Sequence, residues 1–382
     1  MRFVFLSNYV CIHQLPFCEF MYEKLGDAFY FVATEEIETE RLSQGYSELN
    51  SKYPFVIRAY ESDAEKQKAQ QLTDEADVVL IGSAPLEFIQ YRLKKEKLTF
   101  LYSERLYKSG YQAWKLPVRL WRFYKKYGRH KSLYLLCASA YTAADFAKTG
   151  TFINKAYKWG YFPEVKRYDD VDALVDNKQP GSILWAGRFL DWKHPEAVVE
   201  VARRLKTEGY DFRLTMLGNG ELWNAISEQV REYDLQDRIQ LTGAVPAEEV
   251  RSYMEEAAIY LFTSDRHEGW GAVLNEAMNS ACAVVASDAV GAAPLLLKDG
   301  ENGLSYHSEN VDELYEKVKF LLNNPARGRN LGRKAYETMT GLWNAEVAAK
   351  RLLELSEALL RGEKCPSLYQ EGPCSKAEIV KD

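Results

Sequence analysis

The sequence predicts an α/β protein with two domains, each a parallel sheet covered by helices on both faces. The chain has 382 residues, of which 47% are hydrophobic, and that is enough for two separate cores. Short apolar runs alternate with longer amphipathic runs, most clearly after residue 181. The short runs are continuously apolar, as expected for strands that are buried on both faces.

The first half of the chain contains six apolar runs that we predict to be strands. In chain order they read RFVFLS, AFYFVAT, FVIRAY, DVVLIG, LTFLYS and LYLLCAS. The segments between them are less regular than those of the second half, but the same kind of alternation is present. We therefore predict an N-terminal α/β domain over residues 1–165.

In the second half, apolar runs precede amphipathic runs of helix length. The predicted strands read ILWAG, FRLTMLG, RIQLTG, AIYLFTS and AVVAS. The predicted helices read HPEAVVEVARRLKTEG, ELWNAISEQVREYDL, PAEEVRSYMEEA, GAVLNEAMNSA and DELYEKVKFLLNN. This strict alternation is typical of a parallel sheet and predicts a C-terminal domain over residues 181–340.

Three segments fall outside these two domains. The stretch RYDDVDALVDNKQPGS is acidic and reaches Pro-Gly at its end, which predicts an interdomain linker over residues 166–180. Residues 343–361 predict a long amphipathic helix that packs back on the N-terminal domain, and residues 362–382 predict a loose polar tail. Two such domains are expected to face each other across a crevice, where strand ends and helix N-termini create a ligand site.

The composition favours a cytoplasmic protein. The six cysteines form no CxxC pair, which is typical of a reducing compartment and argues against structural zinc. The N-terminal run MRFVFLSNYV is too short and too quickly polar for a signal peptide. No later stretch reaches the about 18 consecutive apolar residues of a membrane-spanning helix.

One segment is strongly basic, although the whole chain has a net charge of −6. Residues 91–131 contain thirteen Lys and Arg against two Glu, interleaved with aromatic residues such as Trp121. Leu116, Leu120 and Phe123 fall at helical spacing and would form an apolar face. We interpret the segment as a peripheral patch for an anionic membrane surface, with a solvated face over core aromatics as the alternative. No motif for nucleic-acid binding accompanies the charge.

The stretch HEGWGAVLNEAMNS at residues 267–280 carries two carboxylates eight positions apart. A predicted buried strand ends just before it, and Gly269 and Gly271 allow the backbone to approach a ligand closely. The N–H groups at the start of the following helix favour an anion, while the carboxylate of Glu276 could accept hydrogen bonds from a diol. A nucleotide sugar offers both a diphosphate and diols.

This stretch resembles the retaining glycosyltransferases of family 4, which have the GT-B fold of two Rossmann-like domains. Their donor domain carries E-G-[aromatic]-G-x-x-x-x-E-A, and EGWGAVLNEAM is similar to it. WAGRFLDWK resembles the family's G-R-x-x-x-x-K stretch, MLGNGE its L-G-x-G turn, and RIQLTGAVP its strand and nucleobase loop. These motifs occur in the family's order over about half of the chain.

The resemblance implies a role for each matching residue. Arg188 and Lys193 would hold the donor diphosphate, Glu276 the ribose hydroxyls and Glu268 the hydroxyls of the transferred sugar. His13 would lie near the donor sugar, or it is a structural histidine. The further donor contacts implied are Gly187, Gly218, Val245 and the backbone around Trp270, Gly271 and Ala272.

The chemistry of these side chains agrees with the implied roles. Arg forms a planar fork for phosphate oxygens, and Lys acts as a point charge beside a leaving group. Two protein cations make a metal unnecessary, and the sequence has no convincing Asp-x-Asp motif, so we expect no metal or other cofactor. Because the family retains anomeric configuration, the resemblance implies a front-face substitution rather than a glutamate nucleophile.

The sequence also departs from the family pattern. FLSNYVCIHQLPF lacks a Gly-rich turn, VGAAPLLL lacks the usual glutamate, and His194 stands after Lys193 where glycine is common. Ser103, Glu104 and Arg105 follow a predicted strand and are candidates for the acceptor side.

We therefore predict transfer from a UDP- or GDP-sugar to a saccharide or lipid-linked saccharide at the inner face of the membrane. The alternatives are a nucleotide-sugar epimerase of the same fold and a non-catalytic sugar-binding protein. A dinucleotide-dependent oxidoreductase is disfavoured because no G-x-G-x-x-G follows a strand.

Overall fold

The computed structural model describes residues 1–37, 48–110 and 116–380, which form two compact units. Unit 1 comprises Met1–Glu164 and Trp343–Asp382, and unit 2 comprises Val165–Leu342. Each unit is built on a parallel sheet with helices packed on it, so the predicted class of two Rossmann-like α/β domains is confirmed.

Within the described residues, the sheet of unit 1 has seven parallel strands in the order β3-β2-β1-β4-β5-β6-β7. The strands are β1 (Phe3–Ser7), β2 (Phe29–Ala33), β3 (Val56–Arg58), β4 (Val78–Ile81), β5 (Thr99–Ser103), β6 (Leu133–Cys137) and β7 (Ala156–Lys158). The helices are α1 (Leu15–Leu25), α2 (Asp63–Glu75), α3 (Gln90–Lys94), α4 (Leu116–Phe123), α5 (Thr142–Ala147) and α14 (Ala345–Leu360). α14 packs against α1.

The continuous apolar runs of the first half form the six strands β1 to β6. Every residue of β1, β4 and β6 is buried, because helices cover both faces of the sheet. β1 pairs with β2 on one side and β4 on the other, which places Phe5 beside Phe31 and Leu80. From β1, the strands continue through β2 and β3 on one side and through β4 to β7 on the other, so the strand order reverses at β1.

The C-terminal tail differs from the loose segment that the sequence predicts over 362–382. Its described part reaches the edge of the sheet, where Lys376 pairs with Tyr157 in an antiparallel bridge. The backbone N–H of Lys158 donates to Ser375 O at 2.8 Å, and that of Cys374 donates to Lys158 O at 2.8 Å. Cys374 is 1% exposed, so the tail completes the hydrogen bonding of β7 although its composition is polar.

Unit 2 has six parallel strands among the described residues, in the order β10-β9-β8-β11-β12-β13. They are β8 (Gln179–Ala186), β9 (Arg213–Leu217), β10 (Ile239–Gly243), β11 (Ala257–Phe262), β12 (Ala283–Ser287) and β13 (Leu304–Tyr306). The helices are α6 (Val171–Asp176), α7 (Pro195–Thr207), α8 (Trp223–Glu232), α9 (Ala247–Glu256), α10 (Ala272–Asn279), α11 (Ala293–Leu296), α12 (Val311–Asn323) and α13 (Pro325–Gly341). Each predicted strand and helix of the second half is present.

Residues 166–180 are part of unit 2 and not a separate linker. They contain α6, which packs against α13, and the first two residues of β8. The ammonium group of Lys178 is buried and donates to Met254 O at 2.8 Å and to Ala257 O at 2.9 Å. The acidic side chains of this stretch therefore lie on its solvent-exposed face, whereas Lys178 is buried.

Two of the basic residues in 91–131 lie in the interior of unit 1. Arg92 is fully buried and donates to the carbonyl oxygens of Thr73, Ala76 and Leu98 at 2.6–2.7 Å, which satisfies the C-terminal end of α2. Burial lowers the pKa of Arg92 to about 10. Arg105 is 4% exposed and lies 3.8 Å from Asp145.

The predicted apolar face of α4 is only partly correct, because Leu120 is exposed but Phe123 packs inward on Phe146, with ring centroids 5.9 Å apart. Val118, Trp121 and Tyr124 are the more exposed apolar residues of this surface, at 59–62%. The side chain of Phe123, which we assigned to the surface, thus packs against the core of unit 1. Residues 111–115 of the basic segment lie outside the described residues. None of the described helices is long and apolar enough to span a bilayer.

Candidate active site

The candidate site of unit 2 lies where the strand order of its sheet reverses. β8 lies between β9 and β11, so the loops that follow β8 and β11 leave the sheet in opposite directions. These loops span residues 187–194 and 263–271, and they carry Arg188, Lys193 and Glu268. In open α/β sheets this is the position where ligands bind.

The two loops are held together by a chain of buried hydrogen bonds. Trp185 Nε1 donates to Thr263 Oγ1 at 2.9 Å, and the Thr263 hydroxyl donates to Lys193 O at 2.6 Å. The backbone N–H of Asp265 donates to Trp192 O at 2.9 Å. The backbone of Lys193 is thereby fixed relative to the end of β11.

Lys193 and Glu268 form an ion pair, with each side chain 14% exposed. Ser264 Oγ donates to the same carboxylate oxygen of Glu268 at 3.0 Å. The ammonium group also lies over the ring of Trp192, 4.6 Å from the centroid. The structure thus brings together one predicted phosphate ligand and the predicted sugar ligand, which are 75 residues apart in sequence.

Arg188 lies on the same loop as Lys193 but is solvent-exposed. Its guanidinium forms no ion pair or hydrogen bond with the part of the chain that the structure describes. Gly187, just before it, is held by donation from its N–H to Leu217 O at 3.0 Å. An exposed cation on a fixed backbone is suited to an anionic ligand that arrives from solvent.

The loops after β9 and β10 approach the loop after β8 closely. Gly218 has φ +121°, and a Cβ atom built on it would lie 2.0 Å from Gly187 O. The N–H of Gly218 donates to Gly243 O at 2.8 Å, which joins the β9 and β10 loops. Val245, two residues further on, is half-buried. Gly218 is therefore required by the backbone, and no side chain fits there.

Gly271 and Trp270 shape the start of α10. Gly271 is the N-cap with φ +88°, and a Cβ atom there would lie 2.5 Å from the Phe262 ring. The indole of Trp270 is buried and donates to Asn275 Oδ1 at 2.9 Å, so it anchors the turn from inside. The N–H of Leu274 donates to Gly271 O at 3.0 Å. The other N–H groups in the first turn of a helix have no intrahelical acceptor, which favours an anion nearby.

His13 is in unit 1, in the turn between β1 and α1. Its ring stacks on Tyr161, and its Nδ1 is buried with no hydrogen-bond partner in the described chain. Burial lowers the pKa of His13 to about 4, so the imidazole is neutral at pH 7. Glu104, at the end of β5, accepts from Tyr161 Oη at 2.6 Å. Within unit 1, His13 and Glu104 therefore share Tyr161 as a neighbour.

Residues 167–338 match the family model of Glycosyl transferases group 1. The match covers nearly all of unit 2, which is therefore similar to a glycosyl transferases group 1 domain. The chain is 33% identical over 207 residues to the amylovoran biosynthesis glycosyltransferase AmsK of Erwinia amylovora, covering 53% of this chain and 50% of that protein.

A second relative is the N-acetylgalactosamine-N,N'-diacetylbacillosaminyl-diphospho-undecaprenol 4-alpha-N-acetylgalactosaminyltransferase of Campylobacter jejuni. It is 30% identical over 155 residues, which are 41% of this chain and 40% of the relative. The chain thus spans half or less of the length of these two curated relatives. Among solved structures, HepE of Anabaena in complex with UDP has a TM-score of 0.67 at 14% identity, over 94% of this chain and 100% of that chain. This likeness shows the fold.

Unit 2 contains candidate site residues that the sequence did not reveal. Ser264 binds Glu268, and Thr263 links β8 to Lys193. Tyr260, on β11, donates to Ala186 O at 3.2 Å. Burial, and then the charges of Glu276, Cys282 and Glu268, raise the pKa of Tyr260. The sequence signal that could have indicated Thr263 and Ser264 is their position directly after a buried strand.

Glu276, on α10 of unit 2, is a partly buried carboxylate. It forms no hydrogen bond or ion pair with the described residues, and burial raises its pKa from about 4.5 to about 6. The folded state therefore holds the proton more tightly than the unfolded state. Stability is accordingly lost as the pH rises from about 4.5 to about 6, by about 2 kcal/mol in total.

Glu276→Gln is expected to stabilise the ligand-free protein at pH 8 by up to about 2 kcal/mol and to have little effect at pH 4. The neutral amide avoids the cost of burying a charge at pH 8, whereas the carboxyl is already neutral at pH 4. Urea unfolding at the two pH values measures both effects. Equal stability changes at pH 4 and pH 8 would contradict the assignment.

Proposed function

We propose that this protein is a retaining glycosyltransferase that moves a sugar from a nucleoside-diphosphate sugar to an acceptor hydroxyl. The observation that supports it most is the fixed Lys193–Glu268 pair, with the exposed Arg188 on the same loop. A donor needs positive charge for its diphosphate and an acceptor of hydrogen bonds for its sugar hydroxyls. Lys193 and Arg188 supply the first, and Glu268 supplies the second.

The reaction breaks the bond between the anomeric carbon and the diphosphate oxygen and forms one between that carbon and the acceptor oxygen. Negative charge builds up on the departing diphosphate while the sugar ring becomes oxocarbenium-like. Lys193 and Arg188 stabilise this charge more in the transition state than in the ground state. The acceptor's proton passes to the departing phosphate oxygen on the same face, so configuration is retained without a covalent intermediate on Glu268.

Glu276 is proposed to accept hydrogen bonds from the ribose hydroxyls. Its carboxylate accepts no hydrogen bond from the described residues, although the charge of Arg251 acts on it, and a diol would supply two donors. Binding would repay the cost of burying the charge, since hydrogen bonds to a charged group are stronger than neutral ones. The backbone of the turn at Gly271 and Ala272 is proposed to contact the sugar and phosphate.

The comparisons support a choice of donor and acceptor. HepE was solved with UDP, and this favours a UDP-sugar over a GDP-sugar here. The relative from Campylobacter is named for a substrate linked to diphospho-undecaprenol, and AmsK for amylovoran biosynthesis. We therefore favour a lipid-linked saccharide acceptor in the assembly of a cell-surface polysaccharide or glycolipid.

A thermal-shift panel of UDP, GDP and their sugars tests the donor. A ligand that binds only the native state raises the melting temperature, and we expect UDP and one UDP-sugar to do so. Arg188→Ala is expected to reduce this shift, and Arg231→Ala, an exposed arginine near the end of α8, is the matched control. No shift with any nucleotide would overturn the proposal.

An epimerase of the same fold is the second candidate function. Both enzymes would bind the same donor, so the binding assay cannot separate them. Radiolabelled UDP-sugar with an added lipid-linked acceptor separates them, because only a transferase labels the acceptor. A sugar-binding protein without activity would give neither labelled acceptor nor epimerised donor.

We further propose that the surface around α4 holds the protein on the inner face of the membrane. Exposed Val118, Trp121 and Tyr124 lie among exposed Arg122 and Lys125. Lys125 Nζ lies 3.9 Å from the centroid of the Trp121 ring. Aromatic rings suit the headgroup region, and each cation near an anionic leaflet contributes about 1 kcal/mol.

Sedimentation with liposomes tests this surface. We expect the protein to sediment with vesicles of anionic lipid and not with neutral vesicles, and Trp121→Ser with Lys125→Glu to abolish sedimentation. Lys334→Glu, an exposed residue of α13, is the matched control for the change of charge. Equal sedimentation of the wild type and the double variant would contradict the assignment.

A further inference from the structure

His194 occupies a special position at the start of α7, directly after Lys193. It is the N-cap of α7 and has φ +50°, a conformation that most residues other than glycine avoid. Its ring lies within reach of three carboxylates. Glu196 is on the first turn of α7, Asp265 in the loop after β11, and Glu309 in the segment before α12.

The hydrogen bond from Nδ1 determines the tautomer of His194. Nδ1 lies 2.8 Å from Glu196 Oε1. An ionised carboxylate only accepts, so Nδ1 carries a proton, and in the neutral ring Nε2 keeps its lone pair. Donation from one ring nitrogen to a carboxylate is the usual arrangement of a histidine that binds metal through the other nitrogen.

The lone pair of Nε2 meets two negative groups. Nε2 is buried and has no hydrogen-bond partner in the described chain. Asp265 Oδ2 lies 3.7 Å from it, which is too long for a hydrogen bond. The same carboxylate also accepts from the backbone N–H of His267 at 2.8 Å and lies 3.0–3.2 Å from its Nδ1. One ligand atom each from His194, Asp265 and Glu309 lie within 4.8 Å of one another. Two carboxylates and a ring nitrogen this close together favour a cation between them, either a metal ion or a second proton on the ring.

Contrary to the expectation of no metal from the sequence, we propose that His194, Asp265 and Glu309 form a binding site for one zinc ion. Two ligands of a tetrahedral zinc ion, each about 2.1 Å from it, are about 3.4 Å apart, close to the separation of Nε2 and Oδ2. One imidazole and two carboxylates leave a fourth position for water. Imidazole favours zinc over magnesium, which prefers oxygen ligands alone.

The ion would join three loops at the carboxyl end of the unit 2 sheet. Asp265 O accepts from the N–H of Glu268 at 3.1 Å, and His194 directly follows Lys193. Zinc would therefore hold the backbone on both sides of the Lys193–Glu268 pair without taking part in the transfer step. Its role is to position the loops, and its binding does not depend on the proposed transferase activity.

Calorimetric titration of the full-length, tag-free, chelator-treated protein with zinc chloride tests the site. We expect binding of one ion per chain and a rise in melting temperature with zinc. His194→Asn keeps a residue that tolerates the positive φ, and Glu309→Gln removes an exposed ligand. Each is expected to weaken zinc binding at least about tenfold. His307→Asn, an exposed histidine paired with Glu313, is the matched control and should bind zinc like the wild type.

Cobalt(II) in place of zinc identifies the ligands, since the chain also has six free cysteines. The proposed site contains no sulfur, so the cobalt spectrum should lack an intense thiolate charge-transfer band. Such a band, or unchanged zinc affinity in His194→Asn, would overturn the site. So would the absence of zinc binding by the wild type, because a second proton on His194 would then be the cation between the carboxylates.

Discussion

Replacing Lys193 with alanine is expected to lower the rate of sugar transfer by about 100- to 1000-fold, the usual cost of removing one preorganised group that stabilises developing charge. The ammonium group is already fixed in the ligand-free protein by Glu268 and by the Trp192 ring, so little reorganisation is needed when the diphosphate departs. Steady-state kinetics with UDP-sugar and acceptor measure the effect. Lys319→Ala, which removes an exposed lysine paired with Glu208, is the matched control and should be as active as the wild type.

Glu268→Gln separates the two members of the pair. It removes the charge that neutralises Lys193 in the ligand-free state, so the diphosphate no longer competes with a carboxylate. We expect a lower turnover number because the sugar hydroxyls lose a charged acceptor, while the thermal shift with UDP is retained or increased. A covalent sugar adduct on Glu268 in the wild type, detected by mass spectrometry, would refute the front-face mechanism.

Most strands could be predicted because a strand that is buried on both faces is a continuous apolar run in the sequence. The two that were missed, β7 and β13, are only three residues long. They lie at sheet edges, and a run such as AYK or LSY carries no periodicity. Their pairing with a longer neighbour, rather than their own composition, makes them strands.

Helix α13 was missed for a different reason. Its sequence PARGRNLGRKAYETMTG contains three glycines and many charges, which are typical of a loop. Leu331, Ala335 and Met339 are nevertheless buried at four-residue spacing. A Cβ atom on Gly332 would lie 2.3 Å from Ala281 O, so this glycine allows the helix to approach its neighbour closely. The residue that weakens helix propensity is thus the one that permits the packing.

In the candidate site, features that depend on neighbouring residues in sequence could be predicted, and contacts between residues distant in sequence could not. The loops could be placed because motifs such as EGWGAVLNEAM are local. The pairing of Lys193 with Glu268 and the grouping of His194 with Asp265 and Glu309 could not, because they depend on which strands lie side by side. β8 and β11 are neighbours in the sheet, although β9 and β10 separate them in sequence.

Gly218→Ala is expected to abolish nucleotide binding and to destabilise the protein by about 3 kcal/mol or more, the sum of backbone strain at positive φ and of overpacking. The added methyl would lie 2.0 Å from Gly187 O, and backbone cannot rotate away as a flexible side chain can. The loop after β8 would have to move, and Arg188 with it. Urea unfolding and the thermal shift with UDP measure the two effects.

Gly243→Ala is the matched control for this prediction. Gly243 also has a positive φ, +82°, but a Cβ atom there meets nothing within 4 Å. The loss of stability in Gly243→Ala therefore measures backbone strain alone, about 1–2 kcal/mol, without a steric clash. If the clash with Gly187 is what matters, Gly243→Ala keeps a thermal shift with UDP and Gly218→Ala does not. Equal losses in the two variants would mean that backbone strain alone disables the site, and that the close approach of the β8 and β9 loops is not needed to hold Arg188 in position.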